Sequence, residues 1–319
     1  MIATRQSKSH KHGTLKYELL LLVVTMIWGP AFVAQQIGME KGLGPMTFNG
    51  LRFALGCVSL IPVIIWRKKI IGDVGEAGKP WRTGSAAAGL FLFAAASFQQ
   101  IGLQHTSCAN AGFITSFYIA FVPVIGLWFG QRAGKCLWAG IAVGLIGFYL
   151  LSISGKFVIS RGDLLILLSA GLWACHILAI DRIAGRGDPI QIAGLQFVVC
   201  AALSMLFGLL FERCTFQQIE AASGALAYAG IMSVGVAYTL QVVCQRRCPA
   251  APAAVIMSME AVFAALAGYL ILGQTLTTRA VVGCCLILCG VLIVQLTPIL
   301  SARPEAASVP YKLSSNTER

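Results

Sequence analysis

The chain has 319 residues, of which 57% are apolar and 11% charged, and its mean hydropathy is +0.80. A soluble protein of this size needs far more polar surface, so composition places the chain in a membrane. The net charge of +12 and the pI near 9.4 do not point to nucleic acid, because the basic residues lie in short gaps between apolar runs and form no stripe.

Residues 1–16 carry Arg5, Lys8, Lys11 and Lys16 and read as a cytoplasmic tail. The first apolar run follows, Leu19–Ile37. Within it Ala31-Phe32-Val33-Ala34 resembles a signal-peptidase site, but the run continues past it and is long enough to span. Nine further runs have the length a bilayer core requires: Pro45–Trp66, Ser85–Leu103, Ala109–Phe129, Leu137–Ile153, Leu164–Ile183, Pro189–Phe211, Ala225–Val243, Ala253–Leu272 and Ala280–Leu296. Short connections marked by Gly, Pro or charge separate them, as in Gly42-Leu43-Gly44-Pro45. The Pro- and Ser-containing tail, 301–319, reads as disordered.

The fold class follows: an all-α membrane protein with ten transmembrane helices. Five of them are written twice. Gly130-Gln131, Gly140 and Gly147 recur 143 residues later as Gly273-Gln274, Gly283 and Gly290. Pro45 and Gly50-Leu51-Arg52-Phe53 recur as Pro189 and Gly194-Leu195-Gln196-Phe197, and Trp28 recurs as Trp173. The first repeat covers 17–153 and the second 162–298. An odd number of crossings turns the second unit upside down, which is the architecture of many alternating-access carriers.

Lys and Arg set the orientation. With the N-terminus inside, eighteen lie in the tails and inner loops, five lie in outer loops, and Arg52 lies within a span. That split predicts a multi-pass protein of the cytoplasmic membrane with both termini cytoplasmic.

Several segments carry a family resemblance: Trp28-Gly29 with Phe32; Pro45 with Arg52; Gln99-Gln100-Ile101-Gly102 running into Asn110-Ala111-Gly112-Phe113; Gly162-Asp163; and Ser258-Met259-Glu260-Ala261. Their order and spacing resemble the drug/metabolite transporter superfamily, specifically its EamA-type ten-helix members, over about residues 17–298. The resemblance implies a small-metabolite carrier, commonly an exporter. Ala261 stands where the family usually has Pro, which predicts a straighter ninth helix. Gln274 stands where an acidic residue is often found.

Charged and titratable groups inside spans are costly, which makes Arg52, His176 and Glu260 candidates for transport. At 1.5 Å per residue, Glu260 and Gln196 come out about 10 Å from the inner face and His176 about 12 Å, so the three can share one layer. Arg52 lies about 10 Å from the outer face. Glu260, with His176, is the candidate for proton coupling, since a buried carboxyl can hold a proton and release it when the cavity meets water. Arg52 can draw an anionic group or serve structure alone. Asn49, Gln99, Asn110, Tyr118 and Gln241 add neutral polar groups, and Trp28, Phe32, Trp173 and Tyr238 add aromatic walls.

These residues form the expected translocation path for a small-molecule substrate, with protons and membrane lipids as the other expected partners. No cofactor or metal is expected. Eleven cysteines form no ligand pattern, although Cys244/Cys248 and Cys285/Cys289 have helical spacing. An intramembrane enzyme lacks its motifs: no His-Glu-x-x-His and no Gly-x-Ser-x-Gly element occurs. The chain also shows no filter loop of the kind channels use. Amino-acid-like or other small solutes fit the sparse charge best. A flippase for lipids or lipid-linked sugars is the other carrier reading.

Overall fold

The computed structural model describes residues 2–71, 80–106, 108–131, 133–152, 160–273, 275 and 277–300. Gln274 and the tail 301–319 lie outside the described residues. Nine helices among the described residues are long and apolar enough to cross a bilayer: Leu15–Glu40, Pro45–Ile70, Trp81–Leu103, Asn110–Trp128, Arg161–Ile183, Pro189–Phe211, Ser223–Gln245, Ala250–Leu272 and Thr278–Gln295. A shorter apolar helix, Lys135–Leu151, lies between the fourth and fifth of these. Counted in chain order the ten are the first to tenth helices. Seven of the expected runs fall inside them; Ala109–Phe129 overruns its helix by one residue at each end, Ala280–Leu296 by one, and Leu137–Ile153 ends at Ile153, outside the described residues. The ninth begins at Ala250, three residues before the expected start, and helical structure precedes the first span from Ile2.

Packing repeats under exchange of the halves. The fifth helix packs along the tenth, the second along the seventh, and the fourth against the ninth. The third packs on the sixth and seventh, and its counterpart the eighth packs on the first and second. The first packs on the ninth as the sixth packs on the fourth. These are the contacts of two inverted five-helix repeats about a shared axis.

Close backbone contacts explain why glycine recurs. A Cβ on Gly147 would stand 2.7 Å from the Gly283 carbonyl oxygen, and one on Gly290 would stand 2.6 Å from that of Gly140. The fifth and tenth helices therefore cross with their backbones touching. Gly130 (φ 78°) and Gly273 (φ 65°) adopt the left-handed conformation just after the fourth and ninth helices, where a side chain would be strained.

The second and seventh helices are tied at both ends. Asp188 caps the seventh by accepting from the amides of Ile190 (3.0 Å) and Gln191 (3.2 Å), and it also pairs with Arg67 at 2.8 Å near the end of the second. Glu212, just past the seventh, accepts from the amides of Met46 and Thr47, both at 2.8 Å, and from the Thr47 hydroxyl at 2.7 Å. Carboxylates at helix N-termini satisfy free amides and oppose the helix dipole. The axis runs through the crossing of these two helices, where the repeat counterparts Phe53 and Phe197 meet at 6.2 Å.

Candidate transport site

Three helices depart from α geometry where they approach the axis. The fourth is two segments, Cys108–Thr115 and Tyr118–Trp128, and the ninth is Ala250–Met257 and Glu260–Leu272. The breaks are repeat counterparts. Each begins with a serine that donates back to its own helix: Ser116 Oγ to Gly112 O at 2.8 Å, and Ser258 Oγ to Val255 O at 2.7 Å. Across each break the backbone tightens into bonds three residues back, as from Ile119 N to Ser116 O and from Ala261 N to Ser258 O. The ninth helix is thus not straighter for lacking a proline, because a serine competing for backbone carbonyls distorts it instead. The third departure is a π-helical stretch, Tyr228–Tyr238, in the eighth helix. Such wider turns are frequent at functional sites.

A cavity lies between the halves, lined from both of them by aromatic and polar side chains. The first helix supplies Trp28, Ala31, Phe32 and Gln35. Arg52 comes from the second, Gln99 from the third, Thr115 and Tyr118 from the fourth, and Trp173 and Ile177 from the sixth. The eighth gives Ser233, Tyr238 and Gln241, and the ninth gives Met257 and Glu260 on either side of its break. Aromatic rings make one wall: Tyr238 lies 4.8 Å from Trp28 and stacks on Trp173 at 5.9 Å. The Trp28 indole nitrogen donates to Ser233 O at 3.4 Å, which ties that wall to the π-helical stretch.

Two charged side chains face this space. Arg52 is 1% exposed and lies 5.0 Å over the Phe53 ring. Its Nε and Nη2 have no hydrogen-bond partner among the described residues. Glu260 is 6% exposed, and its Oε1 likewise has no partner. Ten residues into its helix, Glu260 stands about 15 Å deep, near mid-bilayer. The hydroxyl of Tyr118 faces it within electrostatic reach, short of good hydrogen-bond geometry. Tyr118 and Glu260 are each the first residue of the segment after the break; at the 143-residue spacing of the repeats the counterpart of Glu260 is Phe117. Tyr238 feels both Arg52 and Glu260, while neither charge is among the other's main electrostatic neighbours.

The structure gathers Trp28, Phe32, Arg52, Gln99, Tyr118, Trp173, Tyr238, Gln241 and Glu260 in one cavity. It does not place Asn49, Asn110, His176 or Gln196 in its walls. Asn49 donates to Ala96 O at 3.1 Å and holds two helices together. Asn110 stands at the start of the fourth helix. His176 Nε2 is 2.7 Å from Gln196 Oε1, so the histidine's partner is Gln196 and not Glu260. The expected shared layer therefore holds for His176 and Gln196, while Glu260 sits deeper because its helix starts earlier. Gln35, Thr115, Ser233 and Met257 also line the cavity. Gln35 is an amide within the first span, whereas Thr115, Ser233 and Met257 are residues common in any span.

Ten membrane helices in two inverted repeats, around a central polar cavity with unpaired charges, define a multi-pass membrane transporter rather than an enzyme. The model of the EamA-like transporter family matches the chain twice, over residues 15–153 and 160–296, and the chain belongs to that family. An "Uncharacterized transporter" of Archaeoglobus fulgidus is 31% identical over 280 residues, covering 88% of this chain and 85% of its own. The "Uncharacterized inner membrane transporter YedA" of Escherichia coli K12 is 26% identical over 306 residues, 92% of this chain and 96% of that one. A "Probable amino-acid metabolite efflux pump" of the same organism is 30% identical over 190 residues, 58% of this chain and 59% of that one. A crystal structure at 22% identity superposes with a TM-score of 0.73 over 88% of this chain and 98% of the other, which shows the shared fold. The protein is a multi-pass inner-membrane transporter of small molecules.

Proposed function

We propose that the protein exports small amino-acid-like zwitterions by alternating access, with both termini cytoplasmic. The observation that carries this is a basic and an acidic side chain, Arg52 and Glu260, on one cavity with bare polar atoms and no bond to each other. An unpaired charge away from bulk water is costly, and a ligand bearing both charges relieves two such sites at once. The free guanidinium nitrogens of Arg52 suit a carboxylate. Glu260 accepts the ammonium, with Trp28, Trp173 and Tyr238 offering ring faces for a cation. The name of the E. coli relative as an amino-acid metabolite efflux pump agrees with this reading.

Glu260 is also the proton carrier in this scheme. The substrate's ammonium and a proton compete for one carboxylate, which is the simplest form of antiport. The breaks beside Tyr118 and Glu260 supply the hinges, since a helix interrupted at mid-bilayer can move one half without the other.

The test is reconstitution. Proteoliposomes with an imposed proton gradient are loaded with the cytosolic metabolites found depleted when the protein is expressed. Saturable, gradient-accelerated movement of a small zwitterion is the expected result. Movement only of lipids, or only of solutes lacking one of the two charges, would refute the proposal.

A further inference from the structure

Arg52 and Gln196 hold the same position in the two repeats, 144 residues apart. Each lies seven residues into its helix, about 10 Å from the face where that helix begins. The two helices begin on opposite faces, so Arg52 and Gln196 stand at opposite depths on either side of the Phe53–Phe197 crossing. Only Arg52 reaches the cavity in this conformation.

Gln196 is 1% exposed and lies beside His176, which is equally buried. With Gln196 Oε1 accepting, the histidine proton is on Nε2 and Nδ1 presents a lone pair. The imidazole and the Trp173 indole meet edge to face, with centroids 5.7 Å apart. Three buried groups here lack a hydrogen-bond partner among the described residues: Gln196 Nε2, His176 Nδ1 and Trp173 Nε1. Two bare donors and one bare acceptor in a dry interior are expensive to keep. A carboxylate satisfies the donors, and an ammonium satisfies the acceptor. Tyr238 bounds the cavity at this point, its ring 6.4 Å from His176 and 6.3 Å from Phe197.

We propose that His176 and Gln196 form a second binding station for the zwitterion, the repeat counterpart of Arg52, used when the carrier opens to the cytoplasm. The inference rests on the amino-acid reading above. When the halves exchange conformations, the seventh helix takes the role of the second and Tyr238 leaves the gap. The substrate carboxylate then passes from the guanidinium to the Gln196 amide and the Trp173 indole. His176 orients the amide through the bond to Oε1 and offers Nδ1 to the ammonium.

Sidedness tests this. The probe is a radiolabelled neutral L-amino acid, the best transported of a panel by the wild-type protein. Exchange is measured in right-side-out and inside-out membrane vesicles, with the opposite face saturated. Gln196→Met should raise the half-saturating concentration on the cytoplasmic face on the order of tenfold and change the outer face less than about twofold. Arg52→Gln should do the reverse. Gln196→Arg, which restores a strong carboxylate donor, should lower the cytoplasmic value below that of Gln196→Met. Equal shifts on both faces, or none, would make the pair structural and overturn the proposal. A wild-type protein that moves no amino acid in the panel overturns the amino-acid reading itself and the second station with it.

Discussion

Replacing Arg52 by Met separates a binding residue from a structural one, because the two roles predict opposite changes in stability. The guanidinium is buried with two nitrogens unpartnered, so in the substrate-free protein it is an uncompensated charge. Methionine keeps an unbranched apolar stem against the Phe53 ring and removes that charge. Relieving unsatisfied buried donors is worth about 1–3 kcal/mol. The empty variant should therefore melt a few degrees higher, about 2–4 °C per kcal/mol for chains near this size. Binding should move the other way. A hydrogen bond to a charged group contributes about 1.5–3 kcal/mol, so affinity for the zwitterion should fall by about ten- to a hundredfold. Arg52→Lys keeps the charge and loses the planar fork, and should bind with intermediate affinity. The assay is thermal unfolding in detergent with and without substrate, followed by tryptophan fluorescence, since Trp28 and Trp173 both line the cavity. An Arg52→Met protein that melts lower and binds normally would refute the reasoning and make the arginine a packing element.

Glu260→Gln should abolish the acceleration of efflux by an inward proton gradient, measured in proteoliposomes; full acceleration in that variant removes Glu260 from coupling. Tyr118→Phe keeps the ring and loses the hydroxyl facing Glu260, and should shift the pH profile of transport while leaving thermal stability within about 0.5 kcal/mol. Gly147→Ala drives a methyl into the Gly283 carbonyl and should lower stability by about 1–3 kcal/mol. Gly171→Ala has nothing within 4 Å to meet and should be neutral or stabilising by up to about 1 kcal/mol, in the same melting experiment. Glu212→Ala strips three hydrogen bonds from the start of the second helix and should cost about 2–4 kcal/mol, visible as a lower melting temperature at unchanged substrate affinity.

The inverted architecture was legible because its marks are positions where only glycine fits. Gly130 and Gly273 need the left-handed conformation, and Gly147 and Gly283 need a bare backbone. The cavity was partly legible for a similar reason: a charge, amide or indole in an apolar run stands out when its surroundings cannot solvate it. Direction was not legible. A membrane helix is apolar on both its lipid and its protein faces, so periodicity does not reveal which way Asn49 or Gln99 points. One of them binds a neighbouring carbonyl, and the other lines the cavity. Thr115, Ser233 and Met257 escaped because their side chains are unremarkable in any span. The breaks at Ser116 and Ser258 were not legible because a serine is ordinary in a span until its hydroxyl competes for a backbone carbonyl.

The facing of Tyr118 and Glu260 has an evolutionary consequence. In a symmetric pair of identical five-helix subunits, a residue on the dyad confronts its own image. A glutamate there would meet a second glutamate, and two like charges in a dry space resist ionising together. Joining two copies in one gene frees each to diverge alone. One half can keep Glu260 while the other carries Phe117 at the matching position, so that a single carboxyl stands beside the Tyr118 phenol, a combination no homodimer can encode.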